Sequence, residues 1–226
     1  MTWKEYWPEM RRKYIREQAV EDVQLLSGDL TPEVYARLSA SREVAWDIET
    51  DGLDPLAASI GTCQLHARGI GTYIVARVSE GSPQLLARLL SDEDVRKVFH
   101  HAPFDLSFMS AAWSVSPNNV ACTKIAAKIL RPTAPSEEYS LKYLMSQHFG
   151  VKLEKHMRFS DWMADALSDA QVQYAARDVL KLLDLHDLLV EMLKADGVYE
   201  IYEKCCAFLP VHAQLKVRGC PDPFSY

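Results

Sequence analysis

Four carboxylates and one tyrosine lie in three short motifs of this sequence, and their chemical types suit the handling of phosphate groups. The motifs are VAWDIETDG, FHHAPFD and YAARD, which supply Asp47, Glu49, Asp105, Tyr174 and Asp178. Carboxylate oxygens are the ligands that Mg²⁺ and Mn²⁺ prefer, and two such ions about 3.5–4 Å apart can activate a water and stabilise a leaving oxygen. The residues therefore predict a two-metal site that hydrolyses phosphodiesters.

The first pair of carboxylates lies on a predicted strand. Residues 44–49 alternate between two sets of side chains, so Asp47 and Glu49 project to the same face, roughly 6–7 Å apart at a rise of ~3.3 Å per residue. Two acids on one face of an apolar strand are unfavourable unless positive charge compensates them. A divalent cation would supply that charge. The alternative is an edge strand whose acidic face lies in water.

The other three residues lie on predicted helices. Asp105 falls in the first turn of a helix that begins near Pro103, where a carboxylate can also simply complement the helix dipole. Tyr174 and Asp178 are four residues apart on a later helix and share a face, so the phenol and the carboxylate can orient a water. The alternative for this pair is a tyrosine packed against the sheet and a solvated aspartate.

The hydrophobic periodicity predicts an α/β chain in which strands come first and helices follow. Residues 3–20 form a predicted amphipathic helix within an N-terminal extension placed at 1–27, and residues 28–226 form one catalytic domain. A capping box at Ser168 opens a single long helix that the pattern continues to about Ala195. This order of elements favours a mixed sheet with a helical C-terminal half.

Composition and charge narrow the classes of function. The formal net charge of −6 over 226 residues argues against a protein that coats long nucleic acid, because such binding depends on many lysine and arginine contacts with phosphate. No stretch approaches about 18 apolar residues, so we expect no membrane association. The five cysteines show no ligand-like spacing and the N-terminus shows no secretion signal, so we expect free thiols in a cytoplasmic protein.

The three motifs, in this order and spacing, resemble those of the DEDDy 3′–5′ exonucleases of the ribonuclease D type. The segments KVFHHAPFDLSFM, ACTKIAAKIL and LSDAQVQYAARDVLKLLDLHD extend the likeness. The segments CTKIAAKILRP and CCAFLPVHAQLKVRGC are similar to the compact nanoRNase C oligoribonucleases, with Cys122 where many ribonuclease D proteins have aspartate. The resemblance implies an RNase H-like exonuclease fold, with a central mixed sheet flanked by helices.

Carried over residue by residue, the resemblance implies specific roles. The residues expected to hold two divalent cations, Mg²⁺ or Mn²⁺, are Asp47, Glu49, Asp105 and Asp178. Tyr174 would orient the attacking water. The residues expected to contact the substrate are Thr50, Gly52, Leu53, His101 and Phe104. For His100 we expect packing or a substrate contact in preference to metal ligation.

The resemblance also implies a substrate and an assembly. Proteins of the nanoRNase C type convert very short RNAs, notably dinucleotides, to 5′-mononucleotides and form ring-like octamers. We therefore expect short single-stranded RNA as the substrate and a homo-oligomer. We also expect this protein to lack the RNA-binding helical domains that larger ribonuclease D enzymes append.

Two alternatives stay open. One is a 3′→5′ exonuclease of longer RNA or single-stranded DNA, which would need a basic groove. The candidates for such a groove are Lys124, Lys128, Arg131, Lys152, Lys155 and Arg158. The other is a non-catalytic nucleic-acid-binding module that has kept the fold, and the four intact carboxylates argue against it.

Overall fold

The architecture is a six-stranded mixed sheet flanked by helices. This computed structural model describes residues 23–153, 157, 159–220 and 222–224. The strands are β1 (Val23–Ser27), β2 (Glu43–Thr50), β3 (Ile60–Ala67), β4 (Gly71–Ala76), β5 (Arg96–Phe99) and β6 (Val120–Cys122). The helices are α1 (Pro32–Ala40), α2 (Gln84–Ser91), α3 (Ala102–Trp113), α4 (Thr123–Leu130), α5 (Leu141–Phe149), α6 (Asp169–Leu180), α7 (Leu182–Ala195) and α8 (Tyr199–Val217).

Strand β2 lies inside the sheet, whose order is β1-β4-β3-β2-β5-β6. It pairs antiparallel with β3 and parallel with β5, while β6 runs parallel to β5 and β1 runs parallel to β4. Strand β2 is thus not an edge strand, but its pairing with β5 ends at Ala45, so Asp47 and Glu49 pair with β3 alone. The predicted fold class is confirmed: an α/β, RNase H-like fold with a central mixed sheet and a helical C-terminal half.

Side-chain caps fix the start of three helices. The Thr31 hydroxyl accepts a hydrogen bond from the Val34 N–H at the start of α1, and Ser140 caps α5 in the same way. Ser168 and Gln171 form the predicted capping box of α6. Each cap satisfies backbone N–H groups that have no partner within the helix. The sequence signals for these helix starts are confirmed.

A small apolar cluster holds α6 against the sheet. Ile74 of β4, Trp162, Ala175 and Ala176 are all 2% exposed or less and pack together. The alanine side chains are short, so the helix backbone can approach the strands closely. This packing sets the depth at which the polar residues of α6 lie over the sheet.

The predicted long helix over 168–195 is wrong, because two helices meet there. Lys181 separates α6 from α7, with backbone angles of φ −109° and ψ 6° that leave the helical region. Neither glycine nor proline marks this break. The Lys181 ammonium lies 3.1 Å from a carboxylate oxygen of Asp184 in the first turn of α7. Hydrophobic periodicity cannot detect such a break, since the apolar pattern continues through it.

Further elements, among them a 3₁₀ helix at Val78–Glu80, were not predicted. The loop expected over 131–139 contains a 3₁₀ helix, Ser136–Tyr139, and β1 adds a strand at one edge of the sheet. Strand β1 lies within the predicted extension 1–27 and pairs with β4 of the sheet. The division into 1–27 and 28–226 itself stays a prediction. The helix predicted over 3–20 lies outside the described residues. Within the described ranges, no helix combines the length and apolarity needed to cross a bilayer.

Candidate active site

Three carboxylates meet where β2 faces α6. Asp47, Glu49 and Asp178 each offer one oxygen, and these atoms lie within 4.8 Å of one another. The first two project from β2 opposite Gln64 and Thr62 of β3, while the third comes from a helix that contacts β2, β3 and β4. The structure thus brings together residues that are about 130 positions apart in the chain.

Asp105 lies beside this cluster, in the first turn of α3. It is 3% exposed, and burial, followed by the charge of Asp47, raises its pKa well above the usual range. Hydrogen bonds from its own backbone and from that of Ile48 act in the opposite direction. Asp105 is not among the three residues whose oxygens lie within 4.8 Å of one another. It is a close neighbour of Asp47, not a member of that group.

The electrostatics of the cluster fit a divalent cation. Burial raises the pKa of Asp47 to about 7, although part of its side chain reaches the surface. Burial and the charge of Asp47 raise the pKa of Asp178 well above the usual range. Positive charge would stabilise both ionised carboxylates, and a donor set made only of oxygens suits Mg²⁺ or Mn²⁺. When bound, such an ion would polarise phosphoryl oxygens and lower the pKa of a water.

A second acidic group, at the other end of β2, differs from the Asp47 cluster because it already has a positively charged partner. Glu43, His186 and Asp187 also offer ligand atoms within 4.8 Å of one another. Here, however, the Arg68 guanidinium lies 3.0 Å from Glu43 and 2.7 Å from Asp187. The arginine already supplies the compensating charge, so this group is an ion-pair network between β2, the β3–β4 hairpin and α7. The Asp47 cluster is the better candidate for a metal site.

Metal binding is expected to raise the melting temperature of the protein, and EDTA to reverse the change. A ligand at about 100 times its Kd stabilises a protein by ~2.7 kcal/mol, which is several degrees for a chain of this size. Asp178→Asn is expected to lose most of the shift, whereas Asp187→Asn, in the Arg68 network, keeps it. Scanning calorimetry with and without Mg²⁺ measures both variants. Equal shifts in the two would mean that the cation binds elsewhere.

Tyr174 lies one helical turn from Asp178 and is fixed by packing. Its ring centroid is 5.9 Å from that of Trp162, and the two rings are tilted by 39°. Tyr174 and Asp178 line the same cleft of about 200 Å³. The alternative interpretation was a packed tyrosine and a solvated aspartate. Its first half is correct, because the Tyr174 ring is packed, but its second half is not, because Asp178 belongs to the carboxylate cluster. The ring of Tyr174 is thus held by Trp162 in the same cleft as Asp178.

Tyr174→Phe is expected to slow hydrolysis about 10²-fold while leaving the melting temperature unchanged. The variant keeps the ring that packs against Trp162 and removes only the hydroxyl that would orient the attacking water. Tyr73→Phe is the matched control, because its hydroxyl makes one long hydrogen bond of 3.5 Å to the Ile70 carbonyl on the β3–β4 hairpin. Steady-state rates and thermal melts compare the two. A wild-type rate for Tyr174→Phe would remove this tyrosine from the mechanism.

The predicted substrate residues Thr50, Gly52 and Leu53 lie at the end of β2 and on the closed loop that follows it. The Thr50 hydroxyl donates to the Gly52 carbonyl at 2.6 Å, and the Asp51 carboxylate accepts from the Ser59 N–H at 2.7 Å. Leu53 is 75% exposed on this loop. Leu53 thus lies three residues beyond the end of β2, with its side chain open to contact.

The predicted substrate residues on α3 form an aromatic pair. The rings of His101 and Phe104 are stacked with centroids 6.4 Å apart. Burial, and then the charges of Lys124, Lys216 and Lys128, lower the pKa of His101 to about 4. His101 is therefore neutral at neutral pH and offers a flat ring rather than a charge.

His100 is a core residue. Its ring nitrogens lie 2.9 Å from the Thr123 hydroxyl and 3.0 Å from the Tyr139 carbonyl, and burial lowers its pKa to about 3. Both ring positions are therefore engaged by the protein. This placement is a packing role for His100, one of the two roles expected of it.

Two polar residues of β3 were missed from the sequence. Thr62 and Gln64 are fully buried, opposite Glu49 and Asp47, and the Gln64 amide donates to the Thr62 hydroxyl at 2.6 Å. The side-chain oxygen of Gln64 is buried without a hydrogen-bond partner among the residues that the structure describes. The sequence pattern that could have identified both residues is the alternation Thr-Cys-Gln-Leu-His, which places polar groups on one face of a buried strand.

A short segment that contains Trp162 is held between α6 and β3. The Gln171 amide donates to the Ser160 hydroxyl at 3.2 Å and to the Asp161 carbonyl at 2.9 Å. On the other side, a Cβ atom at Gly61 would lie only 2.5 Å from the Trp162 carbonyl oxygen. Glycine is thus required for this close approach, and the approach positions the ring on which Tyr174 packs.

The comparisons with known proteins agree with this geometry. A family model described as 3′–5′ exonuclease matches residues 27–194. Ribonuclease D of Gluconacetobacter diazotrophicus is 36% identical over 138 residues, which are 61% of this chain and 33% of that relative. The chain thus spans about a third of the length of this curated relative.

Solved structures show the same likeness over most of the chain. NrnC of Brucella melitensis bound to pGG matches with a TM-score of 0.82 and 31% identity, covering 90% of this chain and 98% of that one. The same protein with bound Mg²⁺ matches equally well, at a TM-score of 0.82, 31% identity and the same coverage of 90% and 98%. This chain therefore belongs to the 3′–5′ exonuclease family, in its DEDDy branch, and is similar to ribonuclease D and to NrnC.

Proposed function

We propose that this protein is a metal-dependent 3′→5′ exoribonuclease that hydrolyses short RNA, dinucleotides above all, to 5′-mononucleotides. The observation that carries the proposal is the meeting of Asp47, Glu49 and Asp178 within 4.8 Å, in a chain of the 3′–5′ exonuclease family. Phosphodiester hydrolysis develops negative charge on oxygen, and a site that concentrates divalent cations stabilises that charge.

We assign the metal ligands to Asp47, Glu49, Asp105 and Asp178, which would hold two Mg²⁺ or Mn²⁺ ions. The oxygen donors, their convergence and the Mg²⁺-bound structure of NrnC support this assignment. Tyr174 would orient the attacking water, since its ring is fixed one helical turn from Asp178. These residues hold and orient the reacting groups, and a fixed geometry lowers the entropic part of the barrier.

The substrate would lie between the loop after β2 and the start of α3. Thr50, Gly52 and Leu53 border one side, while His101 and Phe104 offer rings on the other. Stacking of a base on an aromatic ring contributes about 1–3 kcal/mol and tolerates any base. The net charge of −6 and the pGG-bound structure of NrnC favour a short substrate. We also propose a cytoplasmic homo-oligomer, on the resemblance to nanoRNase C proteins.

An exonuclease of longer RNA or single-stranded DNA is the alternative, and it would need a basic groove. Two residues of the candidate groove, Lys155 and Arg158, lie outside the described residues. Of the others, Arg131 is paired with Glu138 at 2.6 Å and Lys128 lies 5.7 Å from the centroid of the Tyr139 ring. Both side chains are thus engaged in contacts within the protein. These contacts give the alternative of a basic groove little support.

The experiment compares a 5′-labelled diribonucleotide with a 5′-labelled RNA of about 20 nucleotides, longer than the ~4–16 that one binding groove typically covers. Reactions contain Mg²⁺ or Mn²⁺, with EDTA as the control. We expect rapid, metal-dependent conversion of the dinucleotide and little change in the long RNA. Ladder-like shortening of the long RNA with slow cleavage of the dinucleotide would favour the alternative. Cleavage of neither substrate would argue for a binding module.

A further inference from the structure

Arg177 brings a positive charge to the cleft beside the carboxylate cluster. It precedes Asp178 on α6 and lines the same cleft of about 200 Å³ as Asp178 and Tyr174. At 3.6 residues per turn, Tyr174, Arg177 and Asp178 lie within about 100° of one another around the helix, so they share one face. Among the described residues that border the cleft, Arg177 is the only basic one. The cleft therefore combines a phenol, a carboxylate and a guanidinium.

The guanidinium of Arg177 has no partner in the described part of the chain. Although Arg177 is next to Asp178 in sequence, the two form no ion pair there, and the arginine side chain is exposed. Of the other described arginines, all but Arg218 contact an acidic side chain, a carbonyl or an aromatic ring. A guanidinium carries five N–H donors in a planar fork that suits phosphate. These donors are therefore open to a ligand that enters the cleft.

The charges of the proposed metal site leave the substrate's own charge unbalanced. The four carboxylates assigned as ligands carry four negative charges when ionised, and two divalent cations would cancel them. The phosphodiester brings one further negative charge, and charge accumulates on its oxygens as the water adds. A positive group that touches these oxygens stabilises the transition state more than the ground state, which lowers the barrier. Arg177 is the described basic residue that lines the cleft, so it is the candidate for this contact.

We propose that Arg177 is a catalytic residue that binds a non-bridging oxygen of the scissile phosphate, on the side from which the water attacks. The inference rests on the proposed function, in which Tyr174 orients that water. In an in-line displacement the water attacks opposite the leaving 3′-oxygen, and the non-bridging oxygens lie around the phosphorus between the two. The cleft that Tyr174 and Asp178 line therefore opens towards those oxygens.

The contact changes no covalent bond of the arginine. The water oxygen forms a bond to phosphorus, the bond from phosphorus to the 3′-oxygen breaks, and one proton of the water ends on that 3′-oxygen. Arg177 stays protonated throughout, because a guanidinium does not lose its proton in proteins. Its hydrogen bonds to the phosphate strengthen as negative charge develops on the oxygens. The products are a free 3′-hydroxyl and a 5′-phosphomonoester.

The first test compares initial rates on a diribonucleotide in Mg²⁺. We expect Arg177→Gln to lower kcat about 10²-fold with little change in KM, because the contact strengthens in the transition state. Arg177→Lys is expected to recover part of the loss, since lysine keeps the charge but lacks the planar fork. Arg88→Gln is the matched control. It removes an exposed arginine from α2, where the guanidinium lies 5.1 Å from the centroid of the Tyr35 ring, and is expected to keep the wild-type rate. Thermal melts in EDTA check that each variant is folded.

The second test determines which oxygen Arg177 contacts. A diribonucleotide in which sulfur replaces one non-bridging oxygen of the scissile phosphate exists as two diastereomers. Sulfur accepts hydrogen bonds more weakly than oxygen, so sulfur at the contacted position is expected to slow the wild type by about a further tenfold. We expect Arg177→Gln to lose this penalty for one diastereomer and not for the other. Arg88→Gln is expected to keep the wild-type ratio of the two rates.

Wild-type turnover by Arg177→Gln would overturn the proposal. So would a rise in KM with unchanged kcat, because Arg177 would then contact another part of the substrate. An equal loss of rate on both diastereomers would also overturn it, since the effect would be one of general charge. If the wild type cleaves no RNA, the proposed function itself fails, whereas an active wild type with an equally active Arg177→Gln removes only the role of Arg177.

Discussion

Asp47→Ala is expected to reduce hydrolysis of a diribonucleotide about 10³-fold or more, because one missing ligand removes several kcal/mol of charge stabilisation. Asp47 lies at the centre of the site: its oxygen is within 4.8 Å of those of Glu49 and Asp178, and its charge also acts on Asp105. Asp94→Ala is the matched control, since that carboxylate is exposed and pairs only loosely with Arg42 at 3.5 Å. Initial rates in Mg²⁺ measure both. Wild-type turnover by Asp47→Ala would contradict the assignment of the site.

Removal of the charge at Asp47 is expected to raise the stability of the metal-free protein, although it lowers activity. Burial raises the pKa of Asp47 to about 7, so above that pH the ionised carboxylate destabilises the folded, metal-free protein, and this penalty disappears as the pH falls. Asp47→Asn keeps the shape and removes the charge. We expect its melting temperature in EDTA at pH 8 to rise by about 2–4 °C, or ~1 kcal/mol after allowance for the exposed part of the side chain.

In Mg²⁺ we expect the wild type to have the higher melting temperature of the two, because it gains stability from the ion and Asp47→Asn does not. Melts of both proteins in EDTA and in Mg²⁺ provide the four values needed. A lower melting temperature for Asp47→Asn in EDTA would show that the carboxylate has a structural role, and the electrostatic account of the cluster would be wrong. Such a trade between stability and activity is common where a site concentrates like charges.

Gly61→Ala is expected to destabilise the fold by about 1–3 kcal/mol and to lower activity with it. The added Cβ would lie 2.5 Å from the carbonyl oxygen and 2.9 Å from the carbonyl carbon of Trp162, and backbone atoms cannot rotate away as a side chain can. Either β3 or the segment at Trp162 must move. Because Tyr174 packs against Trp162, either movement shifts the hydroxyl that would orient the water.

Gly81→Ala is the matched control for this variant. A Cβ at Gly81 would meet no atom within 4 Å, and its φ of −152° is one that alanine adopts freely. Thermal melts and initial rates of the two variants separate a local clash from a general effect of adding a methyl group. If Gly61→Ala melts and turns over like the wild type, the contact between β3 and the Trp162 segment does not position the site.

Much of the fold follows from local patterns. The alternation over 44–49 predicted a strand with Asp47 and Glu49 on one face, and the capping box at Ser168 predicted where α6 begins. The structure agrees because these features act over a few residues, through the pleat of a strand and through unpaired N–H groups at a helix end. Strand β1 escaped prediction because none of its residues is buried and only its pairing with β4, about fifty residues away, makes it a strand.

The sequence alone was enough to name the candidate residues and the element on which each lies, because motif, spacing and periodicity are local properties. The folded structure was needed to show which carboxylate oxygens lie together, and that Arg68 neutralises the acidic group of Glu43 and Asp187. It alone also revealed the contact of Gly61 with Trp162. These are relations between segments distant in the chain. Packing of the helices and the Trp162 segment on the sheet sets them, and no local pattern encodes the distance at which two elements pack.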